Sequence, residues 1–139
     1  MASKKRSARD INRAIQEFGA EKTRRLMFRI YQAVTSATPV DTGFARAGWR
    51  MSSGAPRYGD SDRPRDRAAA EAIAGANRDR NDREAQSLLQ TYRIGDGRLY
   101  VSTAVSYMVH LNRGSSAQAG PAFIERSIQT AIAATRSAA

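Results

Sequence analysis

The chain has no cysteine, one histidine and one tryptophan in 139 residues. Without cysteine it has no disulfide and no thiolate metal site. No apolar run approaches the roughly 18 residues that a membrane span requires. The charged N-terminus also lacks the apolar segment of a secretory signal. The sequence therefore predicts neither a membrane anchor nor export.

Residue types that carry catalysis are sparse and scattered. His110, the only histidine, lies beside Met108 and Leu111, a setting typical of packing or surface positions. No His, Asp or Glu residues form a cluster with metal-ligand spacing. The stretch Gly95-Asp96-Gly97 is not followed directly by a helix, so it is not a phosphate cradle. The sequence predicts no enzyme, no metal and no cofactor.

Basic side chains outnumber acidic ones in this chain. The formal net charge is +10, and residues 1–50 hold eleven basic and four acidic side chains, a net of +7. This excess predicts contact with nucleic acid or an acidic protein surface, and the alternative is a solvated face that keeps the chain soluble. The candidates for such contacts are Lys4, Lys5, Arg6, Arg24, Arg25, Arg46 and Arg50.

A long helix is predicted after a flexible basic arm at residues 1–7. It runs from about Ala8 to Ala37 and carries two apolar stripes that are rotated away from each other. One straight helix cannot bury both in one core, so it either bends near Gly19 or its halves face different partners. We favour the second, with the C-terminal half on the chain's own sheet. The candidates for contact with another subunit are Ile11, Ile15, Phe18 and Phe28.

A turn ends this helix. Pro39 fixes φ and lacks an N–H, Asp41 and Thr42 can bond nearby backbone N–H groups, and Gly43 can adopt positive φ. The alternation that follows predicts a strand over 44–52 with Trp49 on its inner face, and a short helical turn over 43–47 is the alternative.

The triplet Asp41-Thr42-Gly43 also occurs in aspartic proteases. That chemistry needs two carboxylates that share a proton, and this chain supplies one such triplet. The triplet here follows a long helix and Pro39 instead of ending an apolar strand, so capping of the turn is the favoured interpretation.

The remainder predicts short elements. Residues 53–84 form a variable charged region, with a helix from Arg65 to about Ala76 and nothing to bury over 77–83. Gly95-Asp96-Gly97 between alternating runs predicts a hairpin of 91–94 with 98–103. A short helix over 105–112 and a final helix from Pro121 follow. The whole predicts one α+β domain over 1–139: a long N-terminal helix on a small, mainly antiparallel sheet, with short helices and a C-terminal helix.

Two blocks of the sequence resemble the small tail-component family of tailed phages, whose members are tail-completion, tail-terminator or head–tail joining proteins. The first is Thr-Pro-Val-Asp-Thr-Gly at 38–43 with Ala-Arg-Ala-Gly-Trp at 45–49. The second is Val-Ser-Tyr-Met-Val-His-Leu-Asn-Arg-Gly at 105–114 with the loop and Pro121 after it. This chain has an extra glycine before that proline, and Asn112 or Arg113 replaces the family's usual acidic residue.

The resemblance implies a structural subunit of the virion neck. It implies a ring of six or twelve copies around the DNA channel that completes or terminates the tail and joins it to the head. Its implied partners are further copies, connector or adaptor ring proteins, the tail tube or tail proteins, and genome DNA in the lumen, with no membrane. The alternative that the charge supports is a small basic nucleic-acid-binding protein.

Overall fold

The computed structural model describes residues 8–137, and the predicted basic arm lies outside this part of the chain. The described chain is α+β, with helices around one two-stranded antiparallel sheet, which confirms the predicted fold class. In chain order the elements are α1 (Ala8–Ala37), α2 (Phe44–Ala47), β1 (Arg50–Ser53), α3 (Arg67–Thr91), β2 (Leu99–Ser102), α4 (Met108–Asn112) and α5 (Phe123–Ser137).

Helix α1 has the predicted bounds, and its buried residues, Ala20, Tyr31 and Val34, lie outside its first twelve positions. It packs mainly against α5, with further contacts to α3 and β2. The sheet is therefore not its principal partner, because two strands of four residues offer too small a surface. Tyr31 links α1 to α3, since its hydroxyl donates to Asp82 Oδ1 at 2.7 Å.

The predicted strand over 44–52 is wrong in its first half. Phe44–Ala47 form α2, which was the alternative, and β1 covers only Arg50–Ser53. Phe44 and Ala45 are neighbours and are both buried. A strand would send consecutive side chains to opposite faces, whereas a helical turn between α1 and α3 can bury both.

The predicted hairpin is also wrong. Strand β2 pairs with β1, in the register Met51↔Val101 and Ser52↔Tyr100, and not with residues 91–94. Thr91 belongs to α3, and Tyr92 follows as its C-cap. The buried Tyr92 donates its hydroxyl to the Gly97 carbonyl at 3.0 Å, which holds the Gly-Asp-Gly turn against the end of α3.

Helix α3 is longer than predicted and includes residues 77–83, which were expected to bury nothing. Asp66 begins it by accepting the Ala69 N–H at 2.8 Å. Its buried face consists of small or amide residues, so no periodicity of large apolar residues marks it in the sequence. Asn77 and Asn81 are 7% and 1% exposed, and Asn81 Nδ2 donates to the Ala47 carbonyl at 2.7 Å.

One hydrophobic core connects these elements. Trp49, whose burial the sequence predicted, is 5% exposed there. The buried members of the core are Tyr31, Val34, Phe44, Ala45, Ala47, Trp49, Met51, Ala74, Ala85, Val105, Met108 and Phe123. Phe28, which we expected to contact another subunit, is partly buried and packs against this core, because it lies on the half of α1 that faces the body.

Candidate functional site

The turn after α1 is built around Thr38, which is fully buried. Its Oγ1 donates to the Val34 carbonyl at 2.6 Å and accepts the indole N–H of Trp49 at 2.9 Å. Arg46 donates to the Thr38 carbonyl at 3.1 and 3.2 Å, so this residue anchors both the core and the surface of the turn. No local sequence pattern predicted this role of Thr38. The signal that could have found it is the need of the single, buried Trp49 for an acceptor.

Gly43 and Thr42 behave as the sequence predicts. Gly43 has φ of +86°, a left-handed conformation that favours glycine, and it precedes α2 directly. Thr42 Oγ1 accepts the Phe44 N–H at 3.3 Å. The chain reverses here at the end of α1, with Asp41 exposed and Thr38 and Pro39 buried.

Asp41 does not cap the backbone as predicted. Its carboxylate accepts from Arg63 Nη1 at 2.7 Å and from Arg67 Nη1 at 3.0 Å, while Arg67 Nη2 also reaches the Asp41 carbonyl at 3.2 Å. These two guanidinium groups, with Arg67 the larger influence, lower the pKa of Asp41. Its partners come from the start of α3 and the loop before it, which local sequence spacing does not locate.

An open cleft of about 500 Å³ lies beside this turn. Val40 and Phe44 line one side, and Tyr107 and Leu111 line the other. Burial raises the pKa of the Tyr107 hydroxyl above its ordinary value. The cleft therefore combines an apolar lining with a rim of charged side chains.

Gln118 joins the two walls of the cleft. Its Oε1 accepts the Val40 N–H at 2.9 Å, and its Nε2 donates to the Val40 carbonyl at 2.7 Å. This pair of bonds imitates one pairing of a β-ladder, with a side-chain amide in place of a backbone amide. The two sequence blocks that carry the family resemblance, 38–49 and 105–123, therefore meet at this cleft.

Asn112 fixes the loop behind the second wall. Its Oδ1 accepts the Ile124 N–H at 2.9 Å, its carbonyl accepts the Ala122 N–H, and its Nδ2 donates to both carboxylate oxygens of Glu125 at 3.0 Å. The amide of Asn112 lowers the pKa of Glu125. An acidic residue at position 112 would repel Glu125, which explains why asparagine suits this chain.

The first half of α1 forms a second exposed surface, which we call the α1 stripe: Ile11, Ile15 and Phe18. They are 47%, 63% and 60% exposed, and all residues from Ala8 to Phe18 are exposed. Lys22 continues the same face, with its Nζ 4.7 Å from the centre of the Phe18 ring. The helix is continuous from Ala8 to Ala37, with no break at Gly19. Its first half is exposed, whereas its second half contains the buried residues.

The basic candidates that lie in the described part of the chain are bonded within it. Arg24 donates to the Tyr92 carbonyl at 2.6 Å, and Arg25 pairs with Glu21. Arg50 holds both carboxylate oxygens of Glu84, at 2.9 and 2.8 Å. Arg46 donates to the Thr38 carbonyl in the turn after α1. Lys4, Lys5 and Arg6 lie outside the described residues.

Other exposed arginines have no such partner. Arg93 and Arg98 flank the Gly95–Gly97 turn, and both are exposed and form no ion pair within residues 8–137. Arg57 is also exposed, but its carbonyl accepts the Ser102 hydroxyl at 2.8 Å at the other end of β2. We call Arg93 and Arg98 the basic edge; neither was among the basic residues that the sequence predicts for such contacts.

In the described part of the chain, no three His, Asp or Glu side chains come together in a way that could hold a metal ion. None of the helices described here is both long and apolar enough to span a membrane. Comparison of the chain with protein-family models, curated proteins and solved structures found no match.

Proposed function

We propose that this protein is a structural subunit of the neck of a tailed-phage virion. Copies of it form a ring of six or twelve subunits around the DNA channel, which completes or terminates the tail and joins it to the head connector. Its partners are other copies, the connector or adaptor ring, the tail tube or tail proteins, and genome DNA in the lumen. It acts by contact and not by catalysis.

The exposed α1 stripe is the observation that carries this proposal. Ile11, Ile15 and Phe18 repeat at helical spacing on a half-helix that contributes no buried residue before Ala20. A contiguous apolar row on a projecting helix is typical of a surface that another protein covers. A subunit that assembles into a larger structure needs such a surface, whereas a free monomer does not.

The cleft gives independent support. The residues of the two sequence blocks lie far apart in the chain, yet Val40 and Gln118 hold them together through two hydrogen bonds. The resemblance therefore concerns one coherent part of the molecule and not two unrelated stretches. This coherence supports the family resemblance as the guide to function.

A variant of the stripe tests the proposal. Ile15→Asp with Phe18→Ser should leave the melting temperature of the isolated full-length chain nearly unchanged, because both side chains are exposed. The same variant should fail to enter particles and to form closed rings in electron micrographs. The matched control is Tyr58→Ser, since Tyr58 is also 62% exposed but lies off α1.

Two outcomes would overturn the proposal. One is a wild-type chain that stays monomeric at every concentration and is absent from purified particles. The other is a double variant that assembles as well as wild type.

The basic edge favours one alternative, a nucleic-acid-binding role. Arg93 and Arg98 carry charge that no ion pair within residues 8–137 neutralises. Arg93→Ala with Arg98→Ala should lower the affinity of the monomer for duplex DNA and reduce the slope of its salt dependence by about two. The control is Arg25→Ala, which removes an arginine already paired with Glu21. If the double variant bound duplex DNA as tightly as the Arg25→Ala control, this alternative would be refuted.

A further inference from the structure

We propose that the α1 stripe of one copy occupies the cleft beside Val40, Tyr107 and Leu111 of a second copy. This inference rests on the proposed function and adds the contact through which subunits join. It makes the contact heterologous, since each copy offers a stripe to one neighbour and a cleft to the other.

The stripe and the cleft of one copy cannot meet. The cleft begins at Pro39, just after α1 ends, whereas Ile15 lies 22 residues before Ala37 on a continuous helix. At 1.5 Å per residue, that separation is roughly 33 Å. The stripe can therefore reach only the cleft of another molecule. A head-to-tail contact of this kind produces a ring when its rotation closes.

The cleft has the size and lining that the stripe needs. Its volume of about 500 Å³ falls in the range of sites that enclose several large side chains. The apolar side chains of Val40, Tyr107 and Leu111 line it. Ile11, Ile15 and Phe18 follow the i, i+4, i+7 spacing by which a helix inserts one face into a groove.

The charges beside the two surfaces are complementary. Lys22 continues the stripe and forms no ion pair within residues 8–137. Asp62 lines the cleft, is exposed, and likewise has no ion-pair partner in that part of the chain. Asp41 on the same rim is already held by Arg63 and Arg67, so Asp62 is the carboxylate left to meet a cation.

The area of one stripe–cleft contact is small, so closure of a ring matters to its stability. The three exposed side chains present on the order of 300 Å² of apolar surface, whereas a stable interface buries about 800 Å² on each partner. Direct pairing of two stripes would form a closed dimer of this small area and would leave the cleft empty. In a ring each subunit makes the contact twice, so the chain is expected to associate cooperatively.

Cysteine cross-linking tests the contact, because the natural chain contains no cysteine. Ile15→Cys places a thiol on the stripe and Ser116→Cys places one on the cleft of the full-length chain. The two single variants are mixed at high concentration and treated with a short bismaleimide. The matched control pairs Ile15→Cys with Gln90→Cys, an exposed position on α3.

We expect the stripe–cleft mixture to give at least tenfold more covalent dimer than the control mixture or Ile15→Cys alone. A chain that carries both cysteines should give a ladder of oligomers. Lys22→Glu should reduce the yield several-fold, and Asp62→Lys on the cleft partner should restore it.

The outcomes separate this contact from the proposed function. Rings without stripe–cleft cross-links, or with Ile15–Ile15 cross-links as the main product, overturn the contact and leave the ring proposal standing. A chain that forms neither oligomers nor cross-links overturns both. Charge reversal at Lys22 that lowers the yield but is not restored by Asp62→Lys overturns the proposed charge pairing.

Discussion

Replacing Thr38 by valine tests a buried polar contact at the end of α1. Thr38→Val keeps the shape of the side chain but removes the hydroxyl that accepts the Trp49 indole N–H at 2.9 Å. Trp49 is 5% exposed, so water cannot readily replace the lost acceptor. The Val34 carbonyl still accepts the backbone N–H of residue 38 at 3.1 Å and remains satisfied.

The magnitude follows from the single donor that is left without a partner. An unsatisfied buried donor costs about 1–3 kcal/mol, so we expect Thr38→Val to lower the free energy of unfolding by about 2 kcal/mol. For a chain of this size, that change lowers the melting temperature by roughly 5–10 °C. Thr130→Val is the matched control, because its hydroxyl also donates to the carbonyl four residues earlier but is exposed.

A double-mutant cycle with Trp49→Phe isolates the bond itself. Phenylalanine has no N–H, so Thr38→Val should cost much less in that background than in wild type. Urea unfolding followed by circular dichroism at 222 nm, at one low protein concentration, compares all four proteins. Equal costs in the two backgrounds, or a Thr38→Val effect no larger than that of Thr130→Val, would refute the role given to this contact.

Three other substitutions test the turn and α3. Asp41→Asn should lower stability at neutral pH. Because the pKa of Asp41 is lowered in the folded protein, the stability that its carboxylate contributes is present above about pH 4. This stability is lost as the pH falls through the folded pKa, so the melting curves of variant and wild type should converge in acid. Gly43→Val should cost at least about 1–2 kcal/mol in urea unfolding, because its φ is +86°; an unchanged midpoint would contradict this. Asn81→Ala should cost about 2 kcal/mol, since it leaves the Ala47 carbonyl without its donor, and unchanged hydrogen exchange at α2 would refute this reason.

The parts of the fold that follow from local physics were predictable. Helix α1 was predicted with its observed bounds, because apolar spacing continues over many turns and Pro39 excludes further helix. The left-handed Gly43 followed from the turn chemistry of its neighbours. Gly114 likewise has φ of +94° just after α4, as a glycine past a helix end often does.

The errors concern contacts that depend on distant residues. The face of α3 that contains Asn81 is buried only because the Ala47 carbonyl lies opposite, and no local pattern places that carbonyl. The Gly-Asp-Gly turn was recognised, but β2 pairs with a strand almost fifty residues earlier. At the candidate site, the exposed stripe could be predicted from periodicity. The partners of Asp41 could not, because they come from a charged loop without periodicity.

The bonds between Val40 and Gln118 also set an order of events during synthesis. They join residues 78 positions apart, so the cleft cannot exist until Gln118 has left the ribosome. The stripe, by contrast, precedes every residue of the cleft in the chain and emerges before them. If the stripe of one copy docks in the cleft of another, a nascent chain can enter a finished subunit but cannot yet receive one. Two nascent chains on one polysome then cannot join through this contact, because neither has formed its cleft.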